Sequence, residues 1–133
     1  MKKFVQPIEI RFFDIDMNNH VNNSVYFTYM ENARTNLLMD DFLACKDNGL
    51  TFVISETSCK YLNPIRLGDK VVCEMEFKLK RAVQFNVTYT FKNKDNNQIY
   101  AIGNTLMVMI NESKNRPVPV PEKFICEYIT IVP

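Results

Sequence analysis

Alternation of apolar and polar residues between positions 71 and 92 most constrains how this chain can fold. The apolar positions of the first run are Val71, Cys73, Met75, Phe77 and Leu79. Those of the second run are Val83, Phe85, Val87, Tyr89 and Phe91. A period of two predicts strands that bury one face and expose the other to water. We therefore expect an antiparallel sheet with one face packed on a core.

The remaining segments predict one long helix and three further strands. The predicted order is a strand at 8–13, a helix from near Asn23 to Met39, a helical turn or loop at 40–50, and strands at 51–62 and 99–110. In the first strand, the inner face would carry Ile8, Ile10 and Phe12. Apolar groups lie around much of the helix, so we expect it to be largely enclosed. This order predicts an α+β domain in which an antiparallel sheet of about five strands wraps one long central helix.

Composition and charge favour a single globular domain over residues 1–133. A chain of 133 residues with 47% hydrophobic residues can bury one core. The formal net charge of +1 provides no field for steering toward nucleic acid. We find neither the roughly 20 apolar residues that span a bilayer nor the apolar core of a signal peptide. The lack of such a span predicts no membrane partner. The four cysteines are scattered without a metal-binding spacing, so we expect reduced thiols in a cytoplasmic protein.

The segment 11–23, between the first predicted strand and the helix, carries the candidate chemistry. It contains Asp14, Asp16, the chain's only histidine, His20, and four asparagines. A helix presents unpaired backbone N–H groups and the positive end of its dipole at its N-terminus. Such an end, facing this polar segment, suits the handling of an anion or a polarised carbonyl group.

The spacing Asp14-x-Asp16-x-Asn18 also matches the start of a calcium-binding EF-hand loop. That loop requires glycine at its sixth position and a bidentate glutamate at its twelfth. This chain has Asn19 and Val25 at those positions. We therefore expect no calcium site here, and no other metal.

A longer set of residues carries a family resemblance. The set comprises Asp14, Asp16, His20-Val21-Asn22-Asn23, Tyr26, Tyr29, Glu31 and Ala33-Arg34, followed by the segments 61–69 and 116–121. In order and spacing it resembles the 4-hydroxybenzoyl-CoA thioesterase-like branch of the hotdog-fold acyl thioesterases. The resemblance spans nearly the whole chain and implies a hotdog fold, hydrolysis of acyl-CoA to free acid and CoA, and assembly as a homodimer or homotetramer. CoA would enter only as part of the substrate, with no separate cofactor.

By resemblance, Asp16 is the nucleophile or general base, and the backbone N–H of Asn23 polarises the thioester carbonyl. Asp14 is expected to be a structural acceptor that holds the turn. His20 would orient groups in the site or line its pocket. In this family a glycine usually precedes the histidine, whereas this chain has Asn19, which can still adopt the left-handed conformation at a modest cost.

Several further residues complete the predicted site. Substrate-binding candidates are Asn22 and Tyr26, together with Arg66 and Arg81 for the CoA phosphates, since guanidinium groups suit phosphate. Glu31 is the alternative catalytic carboxylate, because a related hotdog branch uses one on the helix. An ion pair between Glu31 and Arg34, three positions on, is the competing interpretation.

Two other functions compete with thioester hydrolysis. A hotdog dehydratase or hydratase of 3-hydroxyacyl thioesters would need a histidine base, for which His20 is the sole candidate. A noncatalytic module that binds acyl-CoA or acyl carrier protein is the third interpretation, since a fold alone does not define a function.

Overall fold

The computed structural model describes residues 2–131, which form one antiparallel sheet and two helices. The elements are β1 (Phe4–Ile8), a 3-10 turn (Phe12–Asp14), α1 (Val25–Asp47), β2 (Leu50–Tyr61), β3 (Val71–Arg81), β4 (Gln84–Asn93), β5 (Ile99–Asn111), β6 (Arg116–Pro117) and α2 (Glu122–Tyr128). The strands are ordered β1-β3-β4-β5-β2, and the short β6 pairs with β5. This confirms the predicted α+β architecture, with a strand order that places β2 at one edge and β1 at the other.

Strands β3 and β4 have the two faces that their alternation predicts. The buried side chains of these strands are Val71, Cys73, Met75, Phe77, Phe85, Val87, Tyr89 and Phe91. Leu79 was expected to point inward but is 41% exposed, because it lies at the end of the strand beyond the buried cluster. Alternation therefore identified the buried face, but not the point along β3 at which burial ends.

Helix α1 lies against the sheet along one face. Its buried residues are Tyr26, Tyr29, Met30, Ala33 and Leu38. Gly103 of β5, an interior strand, allows close approach, because a Cβ atom there would collide with the thioether of Met30. The opposite helix face is open, with Met39 44% and Leu43 52% exposed. The expectation of a largely enclosed helix is thus wrong for the single chain.

The predicted strand at 8–13 is displaced in the structure. β1 ends at Ile8, whose register partner Val71 is the first residue of β3, so no neighbouring strand continues beyond it. The chain then turns, because the Asp14 carboxylate accepts a hydrogen bond from the Arg11 N–H. As a result Phe12, expected in the core, is 74% exposed.

The chain from 40 to 47 continues α1 instead of forming a separate turn or loop. Phe42 and Cys45 extend the helical spacing of Leu38 and pack against the core, which stabilises the extra turns. The helix ends at Asp47, and Gly49 adopts a φ of +73° in the turn into β2. Since β2 starts after this tight turn, it runs antiparallel to α1 and returns to the helix N-terminus.

The chain after β5 forms a short cap that the sequence did not predict. Helix α2 packs Phe124 against Phe52, Phe77 and Phe85, with ring centroids 5.0 to 6.2 Å apart. Aromatic pairs at such separations stabilise a core beyond the area they bury. This cap closes the end of the sheet remote from the N-terminus of α1.

Candidate active site

Asp14 is the buried centre of the turn that precedes the site. Its carboxylate accepts hydrogen bonds from the Arg11 backbone N–H at 3.0 Å, the Arg11 guanidinium at 3.0 Å and the Tyr29 hydroxyl at 2.7 Å. Burial by itself would raise the pKa of Asp14, but these bonds outweigh burial and hold the pKa below its usual value. The expectation that Asp14 is a structural acceptor is confirmed.

The loop between Asp14 and Asn22 is a narrow backbone hairpin. Ile15 and Val21 form an antiparallel bridge, and the Asp16 N–H donates to the His20 carbonyl at 2.9 Å. Asn19 sits at the bend with a φ of +63°, so asparagine adopts the left-handed conformation expected of it. The hairpin therefore holds Asp16 and His20 side by side.

The Asp16 carboxylate has one engaged and one available oxygen. Oδ1 accepts the Asn18 backbone N–H at 2.9 Å, which orients the group. Among residues 2–131, no hydrogen bond reaches Oδ2. One oxygen is thus held by the loop while the other can act on a substrate or a water molecule.

Asn22 and Ser24 organise the start of α1. The Asn22 Oδ1 accepts both the Ser24 backbone N–H at 2.9 Å and the Ser24 hydroxyl at 2.7 Å. Asn22 therefore forms an Asx turn just before α1, whereas the N-cap residue Ser24 makes no side-chain capping bond. Its predicted contact with substrate stays a prediction.

Four of the predicted site residues share one cleft of about 430 Å³. It is lined by Asp16, His20, Val21, Asn23, Tyr26, Tyr61, Leu62, Asn63 and Pro64. Within the described part of the chain, the Asn23 N–H donates to no backbone acceptor, so this donor is available at the helix N-terminus. The arrangement places a carboxylate, an imidazole and a free backbone donor around one space.

The second wall of the cleft, residues 61–64, was not among the predicted site residues. It follows β2, which runs back along α1 and ends beside the helix N-terminus. The Tyr61 hydroxyl donates to the Asn23 carbonyl at 2.7 Å. In the sequence, the Asn63-Pro64 pair marks the turn that follows this strand. The strand order is needed to show that the turn faces the N-terminus of α1.

Tyr26 joins the cleft to the core. It is 3% exposed, and its ring packs edge-on against Tyr61 and Phe91 with centroids 4.9 and 5.8 Å away. Burial raises the pKa of Tyr26 to about 12, so its hydroxyl remains protonated near neutral pH. Tyr26 therefore serves as packing and lines the cleft at the same time.

The two predicted arginines lie outside the cleft. Arg66 is exposed just beyond Pro64, where its backbone N–H donates to Asp69. Arg81 ends β3, eight residues and about 27 Å along the strand from Cys73. Cys73 pairs with Phe91 near the cleft, so Arg81 lies toward the opposite end of the sheet.

Glu31 belongs to a separate groove of about 450 Å³ between α1 and β2. The groove is lined by Glu31, Arg34, Thr35, Leu38, Met39, Phe42, Phe52, Val53, Ile54 and Met107. Glu31 is 69% exposed and lies 3.9 Å from Arg34, which supports the ion-pair interpretation. The alternative carboxylate therefore does not share a cleft with Asn23 or His20.

The described residues 2–131 contain no group of three or more His, Cys, Asp or Glu side chains that could hold a metal ion. Cys45, Cys59, Cys73 and Cys126 are all free thiols. Burial raises the pKa of Cys59, near the cleft, to about 11, so this thiol is protonated at neutral pH and a poor nucleophile. Among the described helices, none is long and apolar enough to cross a membrane.

The fold is that of the hotdog class, and comparison with known proteins identifies the family. The family model of the Thioesterase-like superfamily matches residues 10–126. The chain belongs to this superfamily. The predicted family and enzyme class are thereby confirmed.

Two named relatives illustrate the match. The chain is 25% identical over 125 residues to the acyl-acyl carrier protein thioesterase ATL3 of Arabidopsis thaliana, covering 92% of this chain and 65% of ATL3. It is 23% identical over 128 residues to the acyl-CoA thioester hydrolase YbgC of Escherichia coli, covering 94% and 95% of the two chains. The chain thus spans almost all of YbgC but less than two thirds of ATL3.

Solved structures confirm the hotdog fold. A 1,4-dihydroxy-2-naphthoyl-CoA thioesterase from Synechocystis superposes with a TM-score of 0.84 at 17% identity, covering 95% of this chain and 97% of that one. A thioesterase from Thermus thermophilus, crystallised with coenzyme A and Zn, gives 0.74 at 29% identity, covering 90% and 86%. At 17% identity, the similarity to the Synechocystis structure concerns the fold alone.

Proposed function

We propose that this protein hydrolyses acyl-CoA thioesters to the free acid and CoA, with Asp16 at the reacting centre. The observation that carries the proposal is the shared cleft of the Asp16 carboxylate and the unpaired Asn23 N–H. The relatives that act on acyl-CoA or acyl carrier protein and the CoA-bound neighbour support this substrate class.

The chemistry needs only a few groups. As a general base, Asp16 takes a proton from water while the water oxygen adds to the thioester carbon. As a nucleophile, its oxygen adds to that carbon directly, and water later cleaves the resulting anhydride. In both routes the carbonyl oxygen gains negative charge, which the Asn23 N–H and the positive end of the α1 dipole stabilise. The carbon–sulfur bond then breaks, and CoA leaves as a thiolate that needs no strong general acid.

Replacement of the carboxylate tests the proposal. We expect Asp16→Asn to lower kcat by about 100-fold or more, because base catalysis contributes on that order. The substrates are acetyl-, hexanoyl-, palmitoyl- and benzoyl-CoA, with thiol release followed by a thiol-reactive dye. Asp47→Asn, at the far end of α1, is the matched control and should behave as the parent. Parent-like hydrolysis by Asp16→Asn would remove Asp16 from the reacting centre.

His20 supports one alternative, because its imidazole lines the same cleft as Asp16. A hydratase would add water to crotonyl-CoA, with His20 moving the proton. Hydration of crotonyl-CoA that disappears in His20→Ala, without thiol release from saturated acyl-CoAs, would favour that reaction. Binding of hexanoyl-CoA without either reaction would indicate a noncatalytic module.

The role of Arg81 depends on assembly, which we propose to be at least a homodimer. Within one chain Arg81 lies too far from the cleft to meet CoA there. Among the strands of residues 2–131, β2 pairs with β5 alone, so one of its edges is free to pair with another copy. A neighbouring copy would be needed to bring Arg81 near a bound CoA, whereas Arg66 lies next to its own cleft.

We further propose that the reaction needs no cofactor beyond the CoA of the substrate and takes place in the cytoplasm. The cleft supplies a base and an oxyanion donor from its own residues, which supports the first point. Activity should survive dialysis against EDTA, measured by the same thiol release. Loss of activity that Zn²⁺ restores would contradict this expectation.

A further inference from the structure

Tyr61 contacts the helix N-terminus from the opposite wall of the cleft. It is the last residue of β2, and its hydroxyl donates to the Asn23 carbonyl at 2.7 Å across 38 positions of sequence. This distance is typical of a well-formed O–H···O bond. The bond joins the two walls of the cleft at the residue proposed to polarise the substrate.

The Asn23 carbonyl is free to accept this bond because it lies outside the helical ladder. The Phe27 N–H, its expected partner in a regular first turn, donates to the Ser24 carbonyl at 3.3 Å. The peptide between Asn23 and Ser24 is planar, so its carbonyl and its N–H move together. Tyr61 holds the carbonyl and the Asn22 side chain holds the N–H.

The preceding peptide, which carries the Asn23 N–H, is held from its other end. Its carbonyl, on Asn22, accepts the Val25 N–H at 3.0 Å. Asn23 therefore connects two fixed peptide groups. Among residues 2–131, its own N–H has no hydrogen-bond acceptor. A donor fixed before the substrate arrives stabilises developing charge without reorganisation during the reaction.

We propose that Tyr61 is a positioning residue that fixes the peptide between Asn23 and Ser24. This contact holds the backbone of Asn23 so that the Asn23 N–H is aimed at the thioester carbonyl. The inference rests on the proposed function and adds to it a residue that does not itself touch the reacting atoms. The edge-on packing of the Tyr61 ring on Tyr26 keeps the hydroxyl in place. Burial also raises the pKa of Tyr61, which favours the protonated form that can donate.

Tyr61→Phe removes only the hydroxyl and tests the inference. On the acyl-CoA of the four above that the parent hydrolyses fastest, we expect kcat to fall about tenfold or more with KM changed less than about twofold. The control is Tyr128→Phe, which also loses one hydroxyl bond, to Asp41, but lies at the other end of the molecule. It should keep the kcat of the parent.

A spectroscopic readout separates positioning from a general loss of structure. Infrared difference spectra with the carbonyl-¹³C form of the same acyl-CoA, bound to Asp16→Asn, should show the carbonyl stretch moved to lower frequency. In Asp16→Asn/Tyr61→Phe the shift should be smaller. Asp16→Asn/Tyr128→Phe should retain it in full.

The outcomes distinguish this inference from the function on which it rests. If Asp16→Asn hydrolyses as the parent does, the proposed function has failed. If Asp16→Asn is inactive but Tyr61→Phe keeps the parent kcat, the Tyr61 inference alone is wrong. An unchanged carbonyl shift in the double variant also overturns it, even where kcat falls.

Discussion

At the scale of single residues, the pair Asp14 and Asp16 shows how two carboxylates two positions apart acquire different roles. Asp14 is 2% exposed and accepts bonds from Arg11 and Tyr29. Asp16 is half-buried and has only the Asn18 N–H on one oxygen. A fully engaged carboxylate supports structure, whereas a partly engaged one in a cleft remains available to a substrate.

The environment of Asp14 predicts how stability depends on pH. Its pKa is lowered in the folded state, so the unfolded chain binds its proton more tightly. The stabilisation is therefore present above the unfolded value, about 4, and is lost as the pH falls through the folded pKa. In urea titrations between pH 7 and 3, the free energy of unfolding should fall more steeply for the parent than for Asp14→Asn. Equal slopes would contradict this role, and Asp47→Asn should follow the parent.

At the scale of elements, the contact between α1 and β5 depends on a glycine. A side chain at Gly103 would meet the Met30 thioether, and overpacking of this kind costs about 1–3 kcal/mol. Gly103→Ala should therefore destabilise the fold by that amount in chemical denaturation. Met30→Ala is itself destabilising because Met30 is buried. In a Met30→Ala background, however, Gly103→Ala should cost less, and a double-mutant cycle would measure the difference as coupling.

A second glycine provides the control. Gly68 has a φ of +94° with open space around it, so Gly68→Ala should cost stability through backbone strain instead of a clash. The cost of Gly68→Ala should be the same with Met30 or with Met30→Ala. Equal coupling of Met30→Ala to the two glycine substitutions would show that the Gly103 contact is not the cause.

Elements with a regular period were predictable from the sequence, and those decided by distant partners were not. The alternation at 71–92 identified β3 and β4 because each face of a strand meets one environment. The strand expected at 8–13 was misplaced because it depends on where its neighbour β3 begins. In the candidate site, the sequence placed Asp16, His20 and Asn23 near one another because one short segment carries them, and they line one cleft. Tyr61 was missed because the antiparallel course of α1 and β2 brings it there.

At the scale of the whole molecule, the free edge of β2 and the apolar groove beside it are the surface on which the proposed homodimer would place its second copy. Val53 and Ile54 lie on this strand, line the groove and are 40% and 44% exposed. Large apolar side chains clustered along an unpaired strand are typical of an interface.

A charge at this edge tests the assembly. Ile54→Lys should shift the protein from dimer or larger to monomer in light scattering, since an unpaired ammonium group would be buried. Val5→Lys adds the same charge to the opposite edge, where Val5 is 53% exposed, and should leave the mass unchanged. A parent that is itself monomeric would contradict the expected dimer.

The two ends of one continuous stretch, residues 23–64, contribute to both walls of the cleft, because the chain folds back at Gly49. That stretch can be exchanged as one block in chimeras with relatives, because the Tyr61–Asn23 hydrogen bond lies within it. The carboxylate of Asp16 stays behind in the host scaffold. The acyl-group preference of the chimera would then match either the donor of the exchanged block or the host. This comparison would show which part of the chain determines the preference.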